Sequence, residues 1–504
     1  MKKLIFICLL IICVENLFAQ DGLLDTTFGI NGIVITDIVS NDDFAFSVIS
    51  QNEDKILVLG KSTNSSSDNF CIIRFNSDGT LDQTFGNNGK IVTEIANSGN
   101  LYDIKIQNDG KIIGVYNDIN VVLFRFNADG TPDLSFADQG KIIIDFPEYE
   151  INAITLTIQN DDKIIVAGNS LIVTDVYASA IMRYNYDGSI DNSFGNSGLI
   201  INNLGGSITN VKIQSDSKIL TLGHFLGSSY ALSRYDSNGI LDLSFGTNGI
   251  INGIANSDTF MSDLLIQDDA KILLGGVSRN LTAFNKTTLV RYDTNGSLDN
   301  SFGNGGIAII ENNQNDVRSS SLLLQNDGKI ILGGSILLNS NFNFLLTRLN
   351  TNGTRDNSFG VNGITTTYIN SNNSWISDIA FMLDGKIIAA GTNVNAGSYD
   401  IVLTKYTNNN LVINNFNTNF DITTASPNPT NDVITINYYL KTNSEISLEL
   451  YDINGKVILK PFYNVSREQG ENSEILNLKG LANSTYILSL KSGESNKLLK
   501  IVKM

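Results

Sequence analysis

Arginine, aspartate and phenylalanine recur through this chain at a fixed spacing, and the charged pair is the feature best suited to do chemistry. Each arginine is followed by an aspartate eight residues later and by a phenylalanine eleven residues later. The sets are Arg74, Asp82 and Phe85; Arg125, Asp133 and Phe136; Arg183, Asp191 and Phe194; Arg234, Asp242 and Phe245; Arg291, Asp299 and Phe302; Arg348, Asp356 and Phe359. Such a pair could form a partly buried, charge-assisted hydrogen bond that ties a strand to a turn. The aspartate could equally cap the turn through its own backbone, and the sequence leaves both interpretations open.

The same turns carry short runs of oxygen-bearing side chains, which makes calcium the alternative to a protein without a cofactor. Residues 76–79 and 236–239 superficially resemble calcium loops, but each run is short and lacks the distant bidentate glutamate. His224 is the single histidine, which excludes a multi-histidine metal site and any triad that needs a second histidine. The sequence therefore predicts no catalytic, cofactor-binding or metal-ligating residue.

An extracellular carbohydrate-active enzyme, either a glycoside hydrolase or a lyase that works with two carboxylates, is the enzymatic alternative. Carboxylates are abundant in the chain, so such a pair has many candidates. A catalytic pair should depart from the repeat, whereas the aspartates singled out above follow it. We therefore expect a binding or structural protein that is not an enzyme.

The repeat predicts the elements that position these residues. Phenylalanine recurs at positions 28, 85, 136, 194, 245, 302, 359 and 416, which delimits seven units. Each unit contains four short apolar runs bounded by Gly, Asn and Asp, a pattern typical of strands; in the first unit they are 33–36, 46–50, 55–60 and 70–75. Tandem four-stranded units that are apolar on both faces predict an all-β fold, a seven-bladed β-propeller, with a parallel β-helix as the rival. Each phenylalanine would anchor neighbouring blades, at a cost of about 3–5 kcal/mol if truncated to alanine.

Two fixed connections divide the predicted ring into two faces. One is the segment from each arginine to the glycine after its phenylalanine, called the cassette below. The other is Gln-x-Asp-Gly-Lys, as at 107–111 and 325–329, a hairpin turn whose lysine is interpreted as a solvated turn residue. Antiparallel strands place both on one face and the connections of variable length on the other. Variable loops on a rigid scaffold usually carry binding, so the candidate ligand-contacting residues are Trp375, Tyr149, Phe225, Phe260 and Tyr399.

The two ends of the repeat predict how the ring closes. The last cassette is degenerate, because Lys405 replaces arginine, Ile413 replaces aspartate and Phe416 is followed by asparagine. At the other end, residues 24–29 form half a cassette, with Asp25 and Phe28 in their usual places and no arginine before them. We expect this half-cassette and the strand at 33–36 to complete the seventh blade, which places Asp25 near Lys405 and covers strand edges.

Composition and the N-terminus predict an exported protein. Residues 1–19 have a basic start, an apolar run from Leu4 to Val14 and a plausible cleavage point after Ala19 or Gln20, which is typical of a signal peptide. The net charge of −17 argues against nucleic acid as a partner. No second apolar span follows, so we expect no transmembrane segment in the mature chain. Cys71 is the one cysteine left after cleavage, so no internal disulfide can form.

The composition changes after Phe420, where alternating apolar runs predict a second, smaller all-β domain. We expect the propeller over residues 20–418, a linker at 419–425 and a small Ig-like β-sandwich over 426–504.

Both predicted domains resemble known families. Over about residues 21–416, Leu-Asp-x-Ser/Thr-Phe-Gly-x-x-Gly and Gln-x-Asp-Gly-Lys-Ile resemble the delta-60 repeat family of bacterial exported proteins, which implies the same fold and no activity. From 426 the chain resembles the type A sorting domain of the type IX secretion system of Bacteroidetes, through residues 427–429, 450–456, 481–486 and 497–504, although Ser484 stands where that family usually has glycine. This resemblance implies the secretion machinery as a partner and an extracellular or outer-surface location. There we expect a non-enzymatic module with a protein or glycan ligand on its variable face.

Overall fold

Over the residues that it describes, the computed structural model is all-β, with 35 strands. It describes residues 20–38, 42–51, 54–63, 68–95, 100–117, 120–146, 148–173, 176–202, 206–224, 230–253, 259–279, 284–312, 315–370, 372–395, 397–408, 420–426, 428, 430–440, 443–452, 456–492 and 495–503. The predicted signal peptide, Phe225, Ile413 and Phe416 lie outside these residues.

Seven sheets of four antiparallel strands form the propeller blades, as predicted. In order from the innermost strand outwards, blades 1 to 3 are β2(Asp42–Gln51), β3(Lys55–Thr63), β4(Asp68–Phe75), β5(Lys90–Ile95); β6(Asn100–Ile106), β7(Ile112–Asn117), β8(Val121–Phe126), β9(Lys141–Ile144); and β10(Glu150–Ile158), β11(Ile164–Val173), β12(Val176–Tyr184), β13(Leu199–Asn202). Blades 4 and 5 are β14(Ser207–Ile213), β15(Ile219–His224), β16(Ala231–Tyr235), β17(Ile250–Asn252); and β18(Thr259–Ile266), β19(Ile272–Ser278), β20(Lys286–Tyr292), β21(Ile307–Ile310). Blade 6 is β22(Val317–Leu324), β23(Ile330–Leu338), β24(Asn341–Leu349), β25(Ile364–Thr367).

Blade 7 is completed by the N-terminal strand. It comprises β26(Ser374–Phe381), β27(Ile387–Asn395), β28(Ser398–Tyr406) and, as its outermost strand, β1(Ile33–Thr36). β1 pairs antiparallel with β28, with Ile33 opposite Thr404 and Thr36 opposite Ile401. The predicted closure of the ring by this segment is confirmed.

The blade boundaries differ from the sequence units by one strand. The sequence units begin with the strand after each Phe-Gly, but in the structure that strand pairs with the arginine-bearing strand before it, as β5 pairs with β4. Each cassette therefore lies inside a blade, between its third and fourth strands. The reason is the fold of the cassette, whose Gly89 carbonyl accepts a hydrogen bond from the Arg74 amide, so that the chain turns back onto the strand it has just left.

The middle strands are buried on both faces between neighbouring blades. Ile56, Leu57, Val58 and Leu59 of β3 are all fully buried. Burial on both sides explains why these strands read as continuous apolar runs without alternation. The innermost strands differ, because they contain a bulge; in six blades the register to the second strand shifts between Ala45 and Ser47 or the equivalent residues.

The residues from 411 onward form the greater part of a second compact unit with two antiparallel sheets. One is β29(Phe420–Ser426), β30(Val433–Leu440), β33(Gly470–Asn477); the other is β32(Val457–Arg467), β31(Ser444–Asp452), β34(Ser484–Ser492), β35(Ser495–Lys503). The predicted linker at 419–425 is wrong, because β29 pairs with β30 as part of a sheet.

Candidate functional site

The repeated arginine and aspartate meet in each cassette, and both interpretations of the aspartate hold. In blade 1, Arg74 Nε donates to Asp82 Oδ2 over 2.8 Å. The other carboxylate oxygen, Oδ1, accepts from the Thr84 amide at 3.1 Å and from its hydroxyl at 2.7 Å. One oxygen thus forms the ion pair while the other caps the turn.

The same contacts recur in the following five blades. The Nε to Oδ2 distances are 2.7 Å for Arg125–Asp133, 2.7 Å for Arg183–Asp191, 2.9 Å for Arg234–Asp242, 2.8 Å for Arg291–Asp299 and 2.8 Å for Arg348–Asp356. Each guanidinium also lies over the buried phenylalanine of its own cassette, with its Cζ 4.3–4.9 Å from the ring centroid. Each arginine is therefore held both by the ion pair with its aspartate and by the cation–π contact of its guanidinium with the phenylalanine ring.

The hairpin lysine is a third member of this group, which corrects its interpretation as a solvated turn residue. Lys55 Nζ lies 3.2 Å from Asp82 Oδ2. The corresponding distances are 3.0 Å for Lys163–Asp191, 3.4 Å for Lys218–Asp242, 3.1 Å for Lys271–Asp299, 3.0 Å for Lys329–Asp356 and 2.8 Å for Lys386–Asp25. Sequence spacing could not find this contact, because the hairpin reaches the cassette only once the second and third strands have paired.

Each cassette also binds the cassette of the next blade. Arg74 Nη1 donates to the Ala128 carbonyl at 2.5 Å, and the Gly86 amide donates to the Asp129 carbonyl at 2.8 Å. Phe85 packs on Gly130, where an added Cβ would lie 2.9 Å from the ring. Gly130 has φ +86°, so this turn requires glycine for its conformation as well as for space. The cassette is thus a structural latch between blades.

At the ring closure, the N-terminal segment takes the place of the seventh cassette. The Gly360 amide donates to the Asp21 carbonyl at 2.8 Å, and Arg348 Nη1 donates to Asp21 Oδ2 at 2.6 Å. At the other side the Gly29 amide donates to the Asp78 carbonyl of blade 1 over 2.8 Å. The segment that replaces the seventh cassette therefore begins at Asp21, three residues before the half-cassette expected from the sequence. The Asp-Gly at 21–22, which matches the Asx-Gly turn of a cassette, is the signal that could have revealed this earlier start.

Asp25 lies beside Lys405 through its backbone but pairs with another lysine. Its amide donates to the Lys405 carbonyl at 2.8 Å, whereas its carboxylate accepts from Lys386 Nζ at 2.8 Å. Lys405 Nζ instead donates to the Ser77 carbonyl of blade 1 at 3.4 Å. This contact is equivalent to the one that each latch arginine makes with a carbonyl of the next blade, such as Arg74 with Ala128. Lys405 thus makes the inter-blade contact of a latch arginine, and its ion pair goes to Asp384 of the hairpin, whose Oδ2 lies 3.4 Å from Lys405 Nζ.

The latch environment stabilises the charged form of its carboxylates. Burial acts to raise the pKa of Asp82, but hydrogen bonds from Thr84 and Lys55 and the charge of Arg74 outweigh it and lower that pKa to about 2. The pKa of Asp242 is likewise lowered to about 2, in this case chiefly by the hydrogen bond from Ser244. These carboxylates remain ionised at neutral pH and are unsuited to general acid–base work.

A second group of carboxylates departs from the repeat and lies on the axis of the ring. The residue eight before each hairpin lysine lies on the innermost strand, and in the six blades with a described bulge it follows that bulge. These axial residues are Ser47, Asp103, Thr155, Asn210, Asp263, Ser321 and Asp378. The three aspartates depart from the repeat, and the sequence analysis, which singled out only the cassette aspartates, did not name them. The sequence places these aspartates at a fixed distance of eight residues before the hairpin lysine, but nothing in the sequence shows that residues at this position face the axis.

The axial aspartates bind neighbouring blades together. Asp378 Oδ2 accepts from the Ser47 hydroxyl at 2.8 Å and the Val48 amide at 3.0 Å, both in blade 1. Its Oδ1 accepts from the Ser321 hydroxyl of blade 6 at 2.7 Å. Asp263 bridges blades 4 and 6 in the same way, through Asn210 at 2.9 Å and the Leu322 amide at 2.8 Å. Burial raises the pKa of Asp263 and of Asp378, and these hydrogen bonds act against the rise.

An axial cavity of about 340 Å³ contains these carboxylates together with Lys105 and Lys212. Lys105 Nζ donates to Asp103 Oδ1. The volume of this cavity is at the lower end of the range for small-molecule binding sites. Among the residues that the structure describes, no three His, Cys, Asp or Glu side chains are grouped so that they could hold a metal ion.

The candidate ligand-contacting residues fall into separate places. Trp375 and Tyr399 contact each other in blade 7, with ring centroids 6.1 Å apart. Phe260 lies in blade 5 and is 38% exposed, and Tyr149 precedes β10 of blade 3 and is 37% exposed. Trp375, Tyr399 and Phe260 lie at strand ends on the variable face, as the alternation of strands requires.

The innermost strands place equivalent residues around the mouth of the axial channel on the variable face. This position, three residues before the axial one and called the rim below, is occupied by Phe44, Asn152, Ser207, Phe260, Arg318 and Trp375 in blades 1, 3, 4, 5, 6 and 7, where each pairs with the second strand just before the bulge. Four adjacent blades, 5, 6, 7 and 1, therefore present a planar side chain at the rim. Sequence reasoning named two of these residues and missed Phe44 and Arg318.

A second row of side chains packs against this arc. The Tyr399 and Phe44 rings contact each other with centroids 4.8 Å apart and a tilt of 33°, so that blades 7 and 1 share one aromatic cluster with Trp375. Arg279 lies over Phe260, with its Cζ 4.2 Å from the ring centroid, and the His224 ring lies 5.5 Å from the same ring. The arc combines one exposed ring, Phe260, and the half-buried rings of Phe44, Trp375 and Tyr399 with stacked guanidinium groups, an arrangement that can bind a ligand.

Comparisons with known families agree with this architecture. Residues 51–85, 107–136, 159–194, 214–245, 267–302 and 325–359 match the family described as a domain of unknown function (DUF5122) beta-propeller. Residues 425–504 match the secretion system C-terminal sorting domain, one residue longer than the predicted span. The resemblance to exported repeat proteins and to a sorting domain is confirmed, and the sorting domain indicates export to the extracellular space or cell surface. The described residues include no helix that could cross a membrane.

Similar solved structures are distant. A virginiamycin B lyase from Staphylococcus aureus is 13% identical, with a TM-score of 0.43, covering 74% of this chain and 98% of its own. A fungal alcohol oxidase of the AA5 family is 12% identical, with a TM-score of 0.44, covering 93% and 98%. A protein of unknown function from Bacteroides caccae is 13% identical, with a TM-score of 0.34, covering 66% and 100%. No curated protein matches the chain. None of these similarities bears on function. The chain therefore contains a β-propeller in which six segments match the DUF5122 beta-propeller family, followed by a C-terminal region that matches the secretion system sorting domain.

Proposed function

We propose that this protein is a non-enzymatic binding module of the cell exterior, delivered by the type IX secretion system, and that it holds its ligand on the variable face. The observation that carries the proposal is the arc of planar side chains at the rim of four adjacent blades. Exposed aromatic and arginine side chains concentrated at one place are typical of binding anchors. The latches supply the rigid scaffold, because seven inter-blade contacts of one kind fix the spacing of the rim residues.

The carboxylates of the ring support a structural role. Those in the cassettes pair with arginine and lysine, and Asp378 accepts hydrogen bonds from three residues of two neighbouring blades. A carboxylate bound in this way holds blades together and has little freedom to exchange a proton with a substrate.

Retention on a polysaccharide and glycan panel tests the proposal. The full mature chain from residue 20, immobilised, should retain at least one ligand without turning it over. Trp375→Ala should weaken that retention, since it removes the central ring of the arc. The matched control is Leu243→Ala, which truncates a 67% exposed side chain on the cassette face. Loss of retention in Leu243→Ala and not in Trp375→Ala would place the binding site on the cassette face and refute the proposal.

An extracellular glycoside hydrolase or lyase is the second candidate, and the axial cavity is what favours it. Asp263 and Asp378 depart from the repeat, line a cavity of about 340 Å³ and have a raised pKa, a property of general acids. The same panel distinguishes the two, if the release of reducing ends or unsaturated products is measured together with retention. Turnover that Asp263→Asn abolishes would replace the binding proposal by an enzymatic one.

The sorting domain should be removed when the protein is released or attached to the surface. The measurement is the intact mass of the extracellular form. A product that still ends at Met504 would contradict a sorting role for residues 425–504.

A further inference from the structure

We infer that the ligand of the variable face is a carboxylated polysaccharide, whose acid groups are bound by Arg279 and Arg318. This inference rests on the proposed binding function and specifies the ligand class for the same face. It starts from the placement of arginine. Apart from the latch arginines, the propeller has only Arg279, Arg318 and Arg355, and the first two lie on the variable face at strand ends of adjacent blades 5 and 6.

Both of these arginines are held flat against an aromatic ring. Arg279 Cζ lies 4.2 Å from the centroid of Phe260, and Arg318 Cζ lies 4.6 Å from that of Phe342. A guanidinium that is stacked in this way keeps its N–H groups in one plane, the geometry that binds a carboxylate through two parallel hydrogen bonds. Stacking also removes rotamer freedom before the ligand arrives, which lowers the entropy cost of binding.

The donors of these arginines are largely unused. The Arg318 side chain is 48% exposed, and its Nη2 donates to Asp316 Oδ2 at 3.2 Å. Asp316 is itself shared, since it also accepts from the Asn285 amide at 2.9 Å and from Asn285 Nδ2 at 3.1 Å. Arg279 makes no hydrogen bond or ion pair with the residues that the structure describes. In a chain of net charge −17, two stacked guanidinium groups on one face form a local site for an anion.

The rest of the rim favours a saccharide as the carrier of that anion. On one side of the arginines lie Trp375, Tyr399 and Phe44, whose flat faces can cover the apolar faces of sugar rings. On the other side, in blades 3 and 4, the rim residues are Asn152 and Ser207, which can hydrogen-bond to hydroxyl groups. A chain of sugar units carrying carboxylates would meet all three kinds of contact along one arc. An acidic peptide would use the arginines alone.

The test compares one polymer backbone with and without its charge. Binding of the full mature protein to polygalacturonate and to fully methyl-esterified polygalacturonate is measured by affinity electrophoresis and calorimetry. The acid form should bind at least tenfold more tightly than the ester, and added salt should weaken the acid form alone. Arg279→Gln and Arg318→Gln should each reduce acid binding about tenfold, the value of one charge-assisted contact, and leave ester binding unchanged.

Arg355→Gln is the matched control, because Arg355 lies on the cassette face and should not affect either polymer. Arg318→Lys keeps the charge and removes the planar donor, so it should fall between the wild type and Arg318→Gln. Unchanged fluorescence of Trp375 confirms that each variant is folded. If acid and ester bind equally and Trp375→Ala weakens both, the binding function stands and this inference is wrong. If polyglutamate binds more tightly than polygalacturonate, the ligand is an acidic peptide. If no polymer or panel glycan is retained, the proposed function itself fails.

Discussion

Replacing Phe28 by alanine tests whether the N-terminal segment serves as a complete seventh latch. Phe28 is fully buried, and it packs on Gly79 of blade 1, where an added Cβ would lie 3.0 Å from its ring. It belongs to the cluster that joins blades 7 and 1, with Met382 from one and Val48 from the other. The ring thus occupies the place that Phe194 and its equivalents occupy in continuous cassettes.

The expected magnitude follows from burial. A phenylalanine that buries about 150–200 Å² at about 25 cal/mol per Å² contributes about 4–5 kcal/mol, within the range of about 3–5 kcal/mol for truncations of this kind. Phe28→Ala should therefore lower the free energy of unfolding as much as Phe194→Ala does, to within about 1 kcal/mol. Equal losses of stability would show that the N-terminal segment serves as a complete latch, although it joins blade 7 by strand pairing and not through the continuous chain.

Urea unfolding followed by tryptophan fluorescence is the assay. Trp375 is the sole tryptophan and lies in blade 7, so the signal reports the blade that Phe28 completes. The control is Ile30→Ala, two residues away and 81% exposed, which should change stability by no more than about 0.5 kcal/mol. A loss below about 1 kcal/mol for Phe28→Ala, with a normal loss for Phe194→Ala, would refute closure by this segment.

Two further predictions concern the latch charges. Asp299→Asn leaves Arg291 and Lys271 facing a neutral amide and should cost about 1.5–3 kcal/mol, whereas Asp327→Asn, at an exposed hairpin, should cost less than about 0.5 kcal/mol; equal losses in thermal melts would contradict the latch. The second is pH dependence. Because the pKa of Asp25, Asp82 and Asp242 is lowered to about 2 in the fold, their stabilisation is present above the ordinary value of 3.8 and is lost as pH falls from about 4 to about 2, at about 1–2 kcal/mol for each after solvent screening. The melting temperature should be level from pH 7 to about 4.5 and fall steeply below pH 4; a level profile down to pH 2.5 would show that the latches do not carry stability.

The repeat determined most of what the sequence could reveal. The spacing of Arg74, Asp82 and Phe85 predicted a blade and offered the Arg–Asp pair as one of two interpretations, because these residues lie within eleven positions of one another and recur in phase. The hydrogen bonds from this cassette to Ala128 and Asp129 of the next blade became visible only in the structure. The half-cassette ending at Phe28 predicted ring closure for the same reason: a fragment of a repeat can only fill the place of a whole one. The C-terminal motifs likewise identified the sorting domain from local patterns alone.

Tertiary structure decided what the offsets point to. A strand after Phe-Gly can pair with either neighbour by pattern alone, and only the fold of the cassette brings β5 back onto β4. Asp103, Asp263 and Asp378 are far apart in the chain, and their shared position on the innermost strands brings them to a common axis. Rotation about the propeller axis brings together residues that share an offset within the repeat, and no local pattern shows which offset faces the axis. Arg279 and Arg318 occupy different offsets in adjacent blades, and each gains its stacked geometry from a ring of its own blade, Phe260 or Phe342.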